Sequence, residues 1–165
     1  TVCYKTNIKG LTASHPYASK FYTWPLLLRP IYYWNGEDKK IYFLGNPILW
    51  WFSTLAVIFL FILLVLNSKM RKEKRAILIL WGYFASLLPY LKVTRITFLY
   101  HYLPALIFAI CGLSFLLEKL NPRKKIVIFL LFIFVLSFLF FAPLSYGFPL
   151  TQQEYQRRIW LKSWI

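Results

Sequence analysis

Acidic side chains are scarce in this sequence. Only five of its 165 residues are Asp or Glu, against 20 Lys and Arg, and the formal net charge is +15. The five are Glu37, Asp38, Glu73, Glu118 and Glu154. Glu37 and Asp38 are neighbours in a Lys-rich turn, which favours a solvated role over general acid–base work. No Ser/His/Asp arrangement with a recognisable context is present, so the sequence offers no catalytic constellation of the common soluble kinds.

Cysteine and histidine are also few. Two cysteines and two histidines cannot build a disulfide framework or a metal cage, and no zinc-ligand spacing is present. The sequence has no Asn-x-Ser/Thr acceptor and no Gly-rich phosphate loop. We therefore expect no bound cofactor and leave metal dependence open. Cys111 is predicted to be a buried thiol within a membrane span, and Cys3 an external, unpaired thiol.

Long apolar runs are abundant. Hydrophobic residues make up 59% of the chain and aromatic residues 21%, a composition typical of membrane proteins. Crossing a bilayer takes about 20 helical residues, and four uncharged stretches predict four transmembrane helices. These are Pro47–Leu66, Ala76–Leu91, Thr97–Leu117 and Ile126–Leu144, with approximate bounds. The second is short, so Arg75 or Lys92 is expected to snorkel toward the interface.

Positive charge is concentrated in two of the predicted loops. Five cations lie within residues 69–75 and four within residues 119–125, whereas the loop between the second and third spans has only Lys92 and Arg95. Short basic loops stay on the cytoplasmic side, so both ends of the chain and the 92–95 loop are predicted to be external. The cationic excess is therefore a topology signal, and nucleic acid is not expected as a partner.

The chain divides into three predicted regions. Residues 1–45 form an external, aromatic-rich interfacial segment that prolines interrupt. Residues 46–145 form the four-helix transmembrane domain, with Asn46 as its first cap and Pro47 in the first helical position. Residues 146–165 form an external interfacial helix, because Thr151-Gln-Gln-Glu154 is a capping box. We expect that helix to include Trp160 and Trp164, and the fold class to be an all-α membrane protein.

The stretch from Arg95 to Pro104 combines a cation, an imidazole and two phenols at the N-terminal start of an apolar run. Such groups are costly in hydrocarbon and often mark functional sites, so this stretch is a candidate headgroup site. Pro104 removes a backbone hydrogen bond, which predicts a kinked helix or a late helix start. Two plainer interpretations stay open: Arg95 snorkels to the external headgroups, and His101 satisfies a backbone carbonyl that Pro104 leaves free.

Four blocks of the sequence resemble protein O-mannosyltransferases. The first is His15-Pro-Tyr-Ala-Ser19 with Trp24-Pro25 and Arg29-Pro30, which resembles the segment before the last membrane helices of that family. The others are Gly45-Asn46-Pro47 with Trp50-Trp51, then Phe98–Pro104, and finally Trp160–Trp164. The blocks occur in the family's order over nearly the whole chain, which makes the resemblance specific.

The resemblance implies the C-terminal four-span part of a glycosyltransferase of the GT-C type. Members of the family transfer mannose from a dolichyl or polyprenyl phosphate carrier to Ser or Thr of proteins, and their catalytic Asp lies in the first external loop. No segment here matches that loop, so the resemblance implies a fragment without the catalytic Asp. The implied partners are the lipid-linked mannose donor, which is a substrate, acceptor proteins, the bilayer and the missing N-terminal part of the enzyme. We expect a multi-pass protein of the bacterial plasma membrane with its active face external.

The resemblance and the chemistry of a lipid phosphate select nine substrate-binding candidates. A phosphate at the interface needs cations at that depth, and Arg offers bidentate geometry. The candidates are Arg95, His101, Tyr100, Tyr102, His15, Tyr17, Ser19, Trp24 and Arg29. Two other functions stay open: a related lipid-phosphate-sugar glycosyltransferase acting on lipid or glycan, and a non-enzymatic four-span membrane protein.

Overall fold

The computed structural model describes residues 15–36 and 39–165. Two antiparallel strands, β1 (Ile31–Asn35) and β2 (Lys40–Phe43), precede four main helices and a short one. The helices are α1 (Pro47–Leu66), α2 (Lys74–Leu87), α3 (Leu103–Leu120), α4 (Lys124–Tyr146) and α5 (Gln152–Arg158). Short 3₁₀ turns lie at Phe21–Thr23, Met70–Lys72, Leu88–Lys92, Leu99–Tyr102 and Lys162–Trp164. The predicted helical membrane fold is confirmed, while the division into three regions stays a prediction.

Helix α1 begins where the sequence predicts. The side-chain oxygen of Asn46 accepts a hydrogen bond from the Leu49 N–H at 3.3 Å, and Pro47 occupies the first helical position, where a missing N–H costs nothing. The Asn46 amide also donates to the carbonyl of Phe134 in α4 at 2.8 Å. One side chain therefore both starts α1 and fastens it to α4.

Within residues 15–36 and 39–165, three helical segments are long and apolar enough to cross a membrane: Pro47–Leu66, Leu99–Leu120 and Lys124–Tyr146. Helix α2 has 14 residues, which span about 21 Å. The 3₁₀ turn Leu88–Lys92 adds five residues, or about 10 Å. Their combined length matches a hydrocarbon core of about 30 Å, so the second predicted span is long enough only as a composite of two helix types.

Helix α3 is the centre of the bundle and packs against both α1 and α2. It begins at Leu103 with Pro104 in its first turn, after the 3₁₀ turn Leu99–Tyr102, so the predicted late start is confirmed. Helix α4 contacts mainly α1 and β2, and only 11% of its most apolar stretch is buried. Most apolar side chains of α4 therefore face away from the bundle.

The β-hairpin is an element that the prediction of an all-α membrane protein did not include. Strands β1 and β2 pair with Ile31 opposite Phe43 and Asn35 opposite Lys40, and the register shifts between Tyr32 and Trp34. Because this irregularity interrupts a strict alternation of side chains, the aromatic run gives no clear strand signal. The predicted polar turn does lie between the strands, although residues 37 and 38 are outside the described part of the chain.

The C-terminal helix is shorter than predicted. Thr151 Oγ1 accepts from the Glu154 N–H at 3.3 Å and Glu154 Oε2 accepts from the Thr151 N–H at 2.9 Å, so the capping box is confirmed. The helix nevertheless ends at Arg158, and Trp160 and Trp164 lie beyond it. Trp164 is buried and donates its indole N–H to the carbonyl of Leu27 at 2.8 Å. The last residues of the chain are therefore held by a tertiary contact and do not continue the helix.

The predicted basic loops meet at one end of the bundle. Lys119 lies 2.6 Å from a carboxylate oxygen of Glu73, and Arg75 donates to both oxygens of Glu118 at 3.0 Å. The hydrogen bond from Lys119 holds the pKa of Glu73 below its ordinary value. These pairs join the start of α2 to the end of α3. Which end of the bundle faces the cytoplasm stays a prediction.

Cys111 departs from its predicted burial. The thiol is exposed on α3, and the adjacent Gly112 takes the buried position near Ile79, Leu60 and Val57. Successive helical residues are rotated by about 100°, so burying Gly112 turns Cys111 outward. Cys3 lies outside the described residues.

Candidate functional site at the aromatic end of the bundle

The turn Trp24–Leu27 is fixed through its carbonyl groups. Each of the four accepts a hydrogen bond from a side chain, three from α1 and one from the C-terminal segment. The pairs are Trp50 to Trp24 at 2.9 Å, Thr54 to Pro25 at 2.7 Å, Trp51 to Leu26 at 2.9 Å and Trp164 to Leu27 at 2.8 Å. Leu27 is fully buried with a left-handed φ of 54°, a conformation that is costly for leucine. The surrounding hydrogen bonds explain how it is maintained.

The segment before this turn is bound to the segment before α3. The Ser19 N–H donates to the carbonyl of Thr97 at 2.9 Å, and the Thr97 hydroxyl donates to the carbonyl of Ser19 at 2.7 Å. The buried indole of Trp24 donates to the Ser19 hydroxyl at 2.9 Å. Two stretches that are 78 residues apart therefore form one unit, which unites the first and third blocks of the sequence resemblance.

Five rings form what we call the aromatic platform: Trp24, Tyr90, Phe98, Tyr100 and His101. His101 stacks on Tyr100 with centroids 4.3 Å apart and lies parallel to Trp24 at 5.9 Å. Phe98 stacks on Tyr100 at 5.7 Å, and Tyr90 meets both Trp24 and His101 edge-on. Trp24 is fully buried, whereas Tyr100 is 42% exposed. The platform thus runs from the core to the surface.

His101 is oriented by the backbone of Phe98. Its Nδ1 lies 3.2 Å from the N–H and 3.0 Å from the carbonyl oxygen of Phe98. Within residues 15–36 and 39–165 no hydrogen bond involves Nε2, so that nitrogen is the one able to reach a ligand. His101 does not satisfy a carbonyl left free by Pro104. Its backbone partner is Phe98, three residues earlier in the chain, and the carbonyl of Tyr100 accepts from the N–H of Leu103.

Tyr102 lies in the core. It is fully buried, its hydroxyl is 3.1 Å from that of Tyr83, and its ring packs on Trp50 with centroids 5.2 Å apart. Ser19 and Trp24 are also buried. These three candidates therefore build the scaffold of the site and present little surface to a ligand.

The two candidate arginines differ in their surroundings. Arg29 donates through Nε and Nη2 to the carbonyl of Pro16, at 2.9 and 2.5 Å, which ties the first block of the resemblance together. Arg95 is exposed, and it has no ion pair or side-chain hydrogen bond among the residues that the structure describes. Arg95 precedes Thr97 by two residues and so lies next to the platform in the chain. Of the two, Arg95 has the guanidinium that is open to a ligand.

A groove of about 350 Å³ adjoins the exposed side of the platform. Its lining consists of His15, Ile31, Tyr32, Tyr33, Phe98 and Tyr100. His15 packs edge-on against Phe98 at 5.0 Å, and its Nδ1 accepts from the Tyr17 N–H at 3.2 Å. The structure therefore brings His15 and Tyr100 together, with Tyr17 adjacent. Arg95 is not part of this lining.

The described carboxylates all have partners. Glu73 and Glu118 pair with cations at the opposite end of the bundle, and the Glu154 carboxylate accepts from the N–H and hydroxyl of Thr151. Across the described ranges no three His, Cys, Asp or Glu side chains come together in a way that could hold a metal ion.

Sequence reasoning missed several residues of the site. Thr97 and Tyr90 belong to no recognisable sequence motif, and they become part of the site through tertiary contacts between loops. For Phe98 the sequence did contain a signal, because this residue begins the third block of the resemblance.

The fold and this site define a multi-pass membrane protein whose polar and aromatic groups gather at one end. A family model described as the C-terminal four TMM region of protein-O-mannosyltransferase matches residues 2–164. The chain belongs to this family, which confirms the resemblance.

Similar proteins include two from Saccharomyces cerevisiae. Dolichyl-phosphate-mannose–protein mannosyltransferase 1 is 33% identical over 94% of this chain and 22% of its own length. Dolichyl-phosphate-mannose–protein mannosyltransferase 5 is 35% identical over 93% of this chain and 24% of its own. A solved structure of the yeast protein O-mannosyltransferase Pmt1–Pmt2 complex bound to the sugar donor matches 99% of this chain with a TM-score of 0.82 and 31% identity, over 26% of its own chain. The present chain thus spans about a quarter of the length of these relatives.

Proposed function

We propose that this chain is the C-terminal membrane region of an enzyme that transfers mannose from a dolichyl or polyprenyl phosphate carrier to Ser or Thr of proteins. The observation that carries the proposal is membership of the family over residues 2–164. The names of the yeast relatives specify the donor as dolichyl phosphate mannose. Because the chain spans about a quarter of each relative, the whole activity belongs to a longer protein.

The role we assign to this region is to shape the site of the lipid donor. A lipid phosphate keeps its tail in hydrocarbon and its charge at the interface. Arg95 offers an exposed guanidinium three residues before Phe98 of the platform in the chain, and Arg binds phosphate through two parallel hydrogen bonds. Negative charge grows on the phosphate as the sugar leaves, and a fixed cation there stabilises the transition state.

The catalytic carboxylate is proposed to lie outside the described residues. Glu73 and Glu118 are neutralised by cations at the far end of the bundle, and Glu154 is occupied by its helix cap. A general base needs a carboxylate within hydrogen-bond reach of the acceptor hydroxyl. Each of these three carboxylates is already committed to a partner within the chain, which supports a base supplied by another part of the enzyme.

We further propose that the aromatic end faces away from the cytoplasm. The opposite end carries the basic loops, and short basic loops are retained on the cytoplasmic side. The relatives described above are eukaryotic, so the bacterial plasma membrane has no support from them and stays a prediction. The coarser statement, an integral membrane protein, rests on the spans and the family.

The test uses the longer enzyme with dolichyl phosphate mannose and a Ser/Thr peptide. Arg95→Ala should raise the KM for the donor about 10- to 100-fold, the range expected for a lost charge-assisted hydrogen bond. Arg95→Lys should restore only part of this loss, because the bidentate geometry is absent. Arg123→Ala is the matched control, since Arg123 is exposed at the start of α4. Donor kinetics that are equal in Arg95→Ala and Arg123→Ala would reduce Arg95 to an interfacial anchor.

A further inference from the structure

A second, larger cavity lies outside the helical bundle. It has a volume of about 680 Å³ and is formed by Tyr17, the β-hairpin and the segment from Gln152 onward. Every residue of its lining comes from segments before α1 or after α4. A ligand of this cavity therefore contacts no part of the four main helices, which points to a water-soluble group. Ligand sites in proteins commonly enclose about 300–1,000 Å³.

The walls of the cavity are preformed. Tyr32 stacks on Tyr42 with centroids 4.3 Å apart, and the Tyr42 hydroxyl is hydrogen-bonded to that of Tyr155. The ammonium of Lys40 lies 3.7 Å from the centre of the Tyr155 ring. These contacts join the hairpin to α5 across 113 residues of sequence. Burial raises the pKa of Tyr32 to about 12 and raises that of Tyr42 as well, so both phenols keep their protons at neutral pH.

The polar groups of the lining both donate and accept hydrogen bonds. Three carboxamides, those of Asn35, Gln152 and Gln156, line the cavity together with the tyrosine hydroxyls. In the part of the chain that the structure describes, none of the three amide groups makes a hydrogen bond. A carboxamide has two donors and an acceptor. An anion would leave the acceptors unused, whereas a hydroxyl group needs both kinds of partner.

The cavity also offers aromatic surface without negative charge. Trp160 is 43% exposed and forms part of the wall with Tyr17. Aromatic rings provide a large apolar face beside a polar edge, which suits the C–H faces of a pyranose ring. The charged residues of the described lining are Lys40 and Lys162, and none is Asp or Glu, so the ligand is not required to be a cation. The ammonium of Lys40 is already engaged with the Tyr155 ring.

We propose that this cavity is a carbohydrate-binding site that takes a mannosyl group already attached to an acceptor polypeptide. The pyranose chemistry follows from the lining. The identity of the sugar rests on the proposed function, because mannosylated Ser or Thr is the product of that reaction. A second site for the product keeps a modified segment on the enzyme while neighbouring hydroxyls are presented, which favours repeated modification of Ser- and Thr-rich stretches.

The test measures binding by the longer protein in lipid nanodiscs. A fluorescent peptide with one α-mannosyl threonine is compared with the same peptide without the sugar, by anisotropy. The wild-type protein should bind the mannosylated peptide more tightly. The double variant Gln152→Ala/Gln156→Ala should lose about tenfold in affinity for it, because two hydrogen bonds of ordinary strength disappear. Gln153→Ala is the matched control, since Gln153 lies on the same helix but does not line the cavity.

Three results would overturn the proposal. The first is that the wild-type protein binds the two peptides with equal affinity. The second is that the double variant and Gln153→Ala bind the mannosylated peptide with equal affinity. The third is that inorganic phosphate at low millimolar concentration displaces the mannosylated peptide. The last would identify an anion site built on Lys40 and Lys162. Failure of the proposed function is a separate outcome: a wild-type protein that transfers no mannose but still binds the mannosylated peptide through Gln152 and Gln156 would support the cavity alone.

Discussion

Replacing Gly82 by alanine tests how closely α2 and α3 are packed. A Cβ atom at Gly82 would lie 2.3–2.6 Å from three ring atoms of Phe108 in α3, whereas carbon atoms in contact are about 3.5–4.0 Å apart. Such overpacking costs about 1–3 kcal/mol. The better helix propensity of alanine offsets at most about 1 kcal/mol. We therefore expect Gly82→Ala to lower the free energy of unfolding by about 1–2 kcal/mol.

Gly112→Ala is the matched control on the facing helix. Its added Cβ would meet Ile79 Cγ2 at 3.5 Å, Leu60 Cδ2 at 3.9 Å and Val57 Cγ2 at 4.0 Å, all of which are ordinary contacts. Gly112→Ala should therefore be neutral, or stabilising by up to about 1 kcal/mol. Both glycines are buried, so the difference between the two variants in free energy of unfolding measures the effect of the contact with the Phe108 ring.

Unfolding in lipid nanodiscs, followed by denaturant titration, measures both variants. Replacing Phe108 by leucine in the Gly82→Ala background should recover part of the loss, because the ring that collides is removed. Gly82 also precedes Tyr83, whose hydroxyl bonds Tyr102, so the variant should loosen the scaffold under the platform. If Gly82→Ala and Gly112→Ala agreed within about 0.5 kcal/mol, which is the usual effect of a neutral substitution, the close packing of α2 on α3 would be refuted.

Three further predictions concern the two ends of the molecule. Thr151→Ala should destabilise α5 by about 1 kcal/mol, seen as faster amide exchange. The bonds to Thr151 hold the pKa of Glu154 below its ordinary value, so acidification should also destabilise α5 as pH falls through that pKa. Amide exchange that is unchanged both in Thr151→Ala and on acidification would contradict the capping role. The folded-state pKa of Tyr32 is raised from 10 to about 12, so its contribution to the stability of the hairpin should be complete below pH 10 and be lost from pH 10 to about 12. Tyr32→Phe should abolish this loss of stability between pH 10 and about 12. Lys72→Cys and Lys124→Cys, in a background without the natural cysteines, should resist an impermeant thiol reagent in sealed cells, and strong labelling of either would reverse the topology.

Local signals in the sequence predicted the helices well. Asn46 and Pro47 specify the start of α1 through a cap and a preset φ angle, and the apolar run specifies its end at Leu66. Pro104 similarly marks the late start of α3. These features depend on residues within one or two turns of each other, so sequence alone contains the information.

The features that sequence reasoning missed depend on distant contacts. Trp164, which lies beyond the end of the C-terminal helix, binds the carbonyl of Leu27, and no local pattern in the sequence indicates a partner 137 residues away. The hairpin is obscured by the irregular register at Tyr32 and Trp34. Within the site, chemistry identified His101 and Tyr100, but the stacking of His101 on Trp24 follows from tertiary folding. The roles of the nine candidate residues in binding stay predictions.

The four carbonyls of the turn Trp24–Leu27 have a consequence for the order of assembly. Three of their donors belong to α1, which follows the turn closely in the chain, but the fourth is Trp164. Bringing together groups so far apart carries a large loop-closure entropy, which slows the formation of such contacts. All four main helices lie between Leu27 and Trp164. The fourth hydrogen bond of the turn therefore forms only after the whole bundle has been synthesised and inserted. An incompletely translocated chain would be distinguishable because it lacks the bond from Trp164 to Leu27.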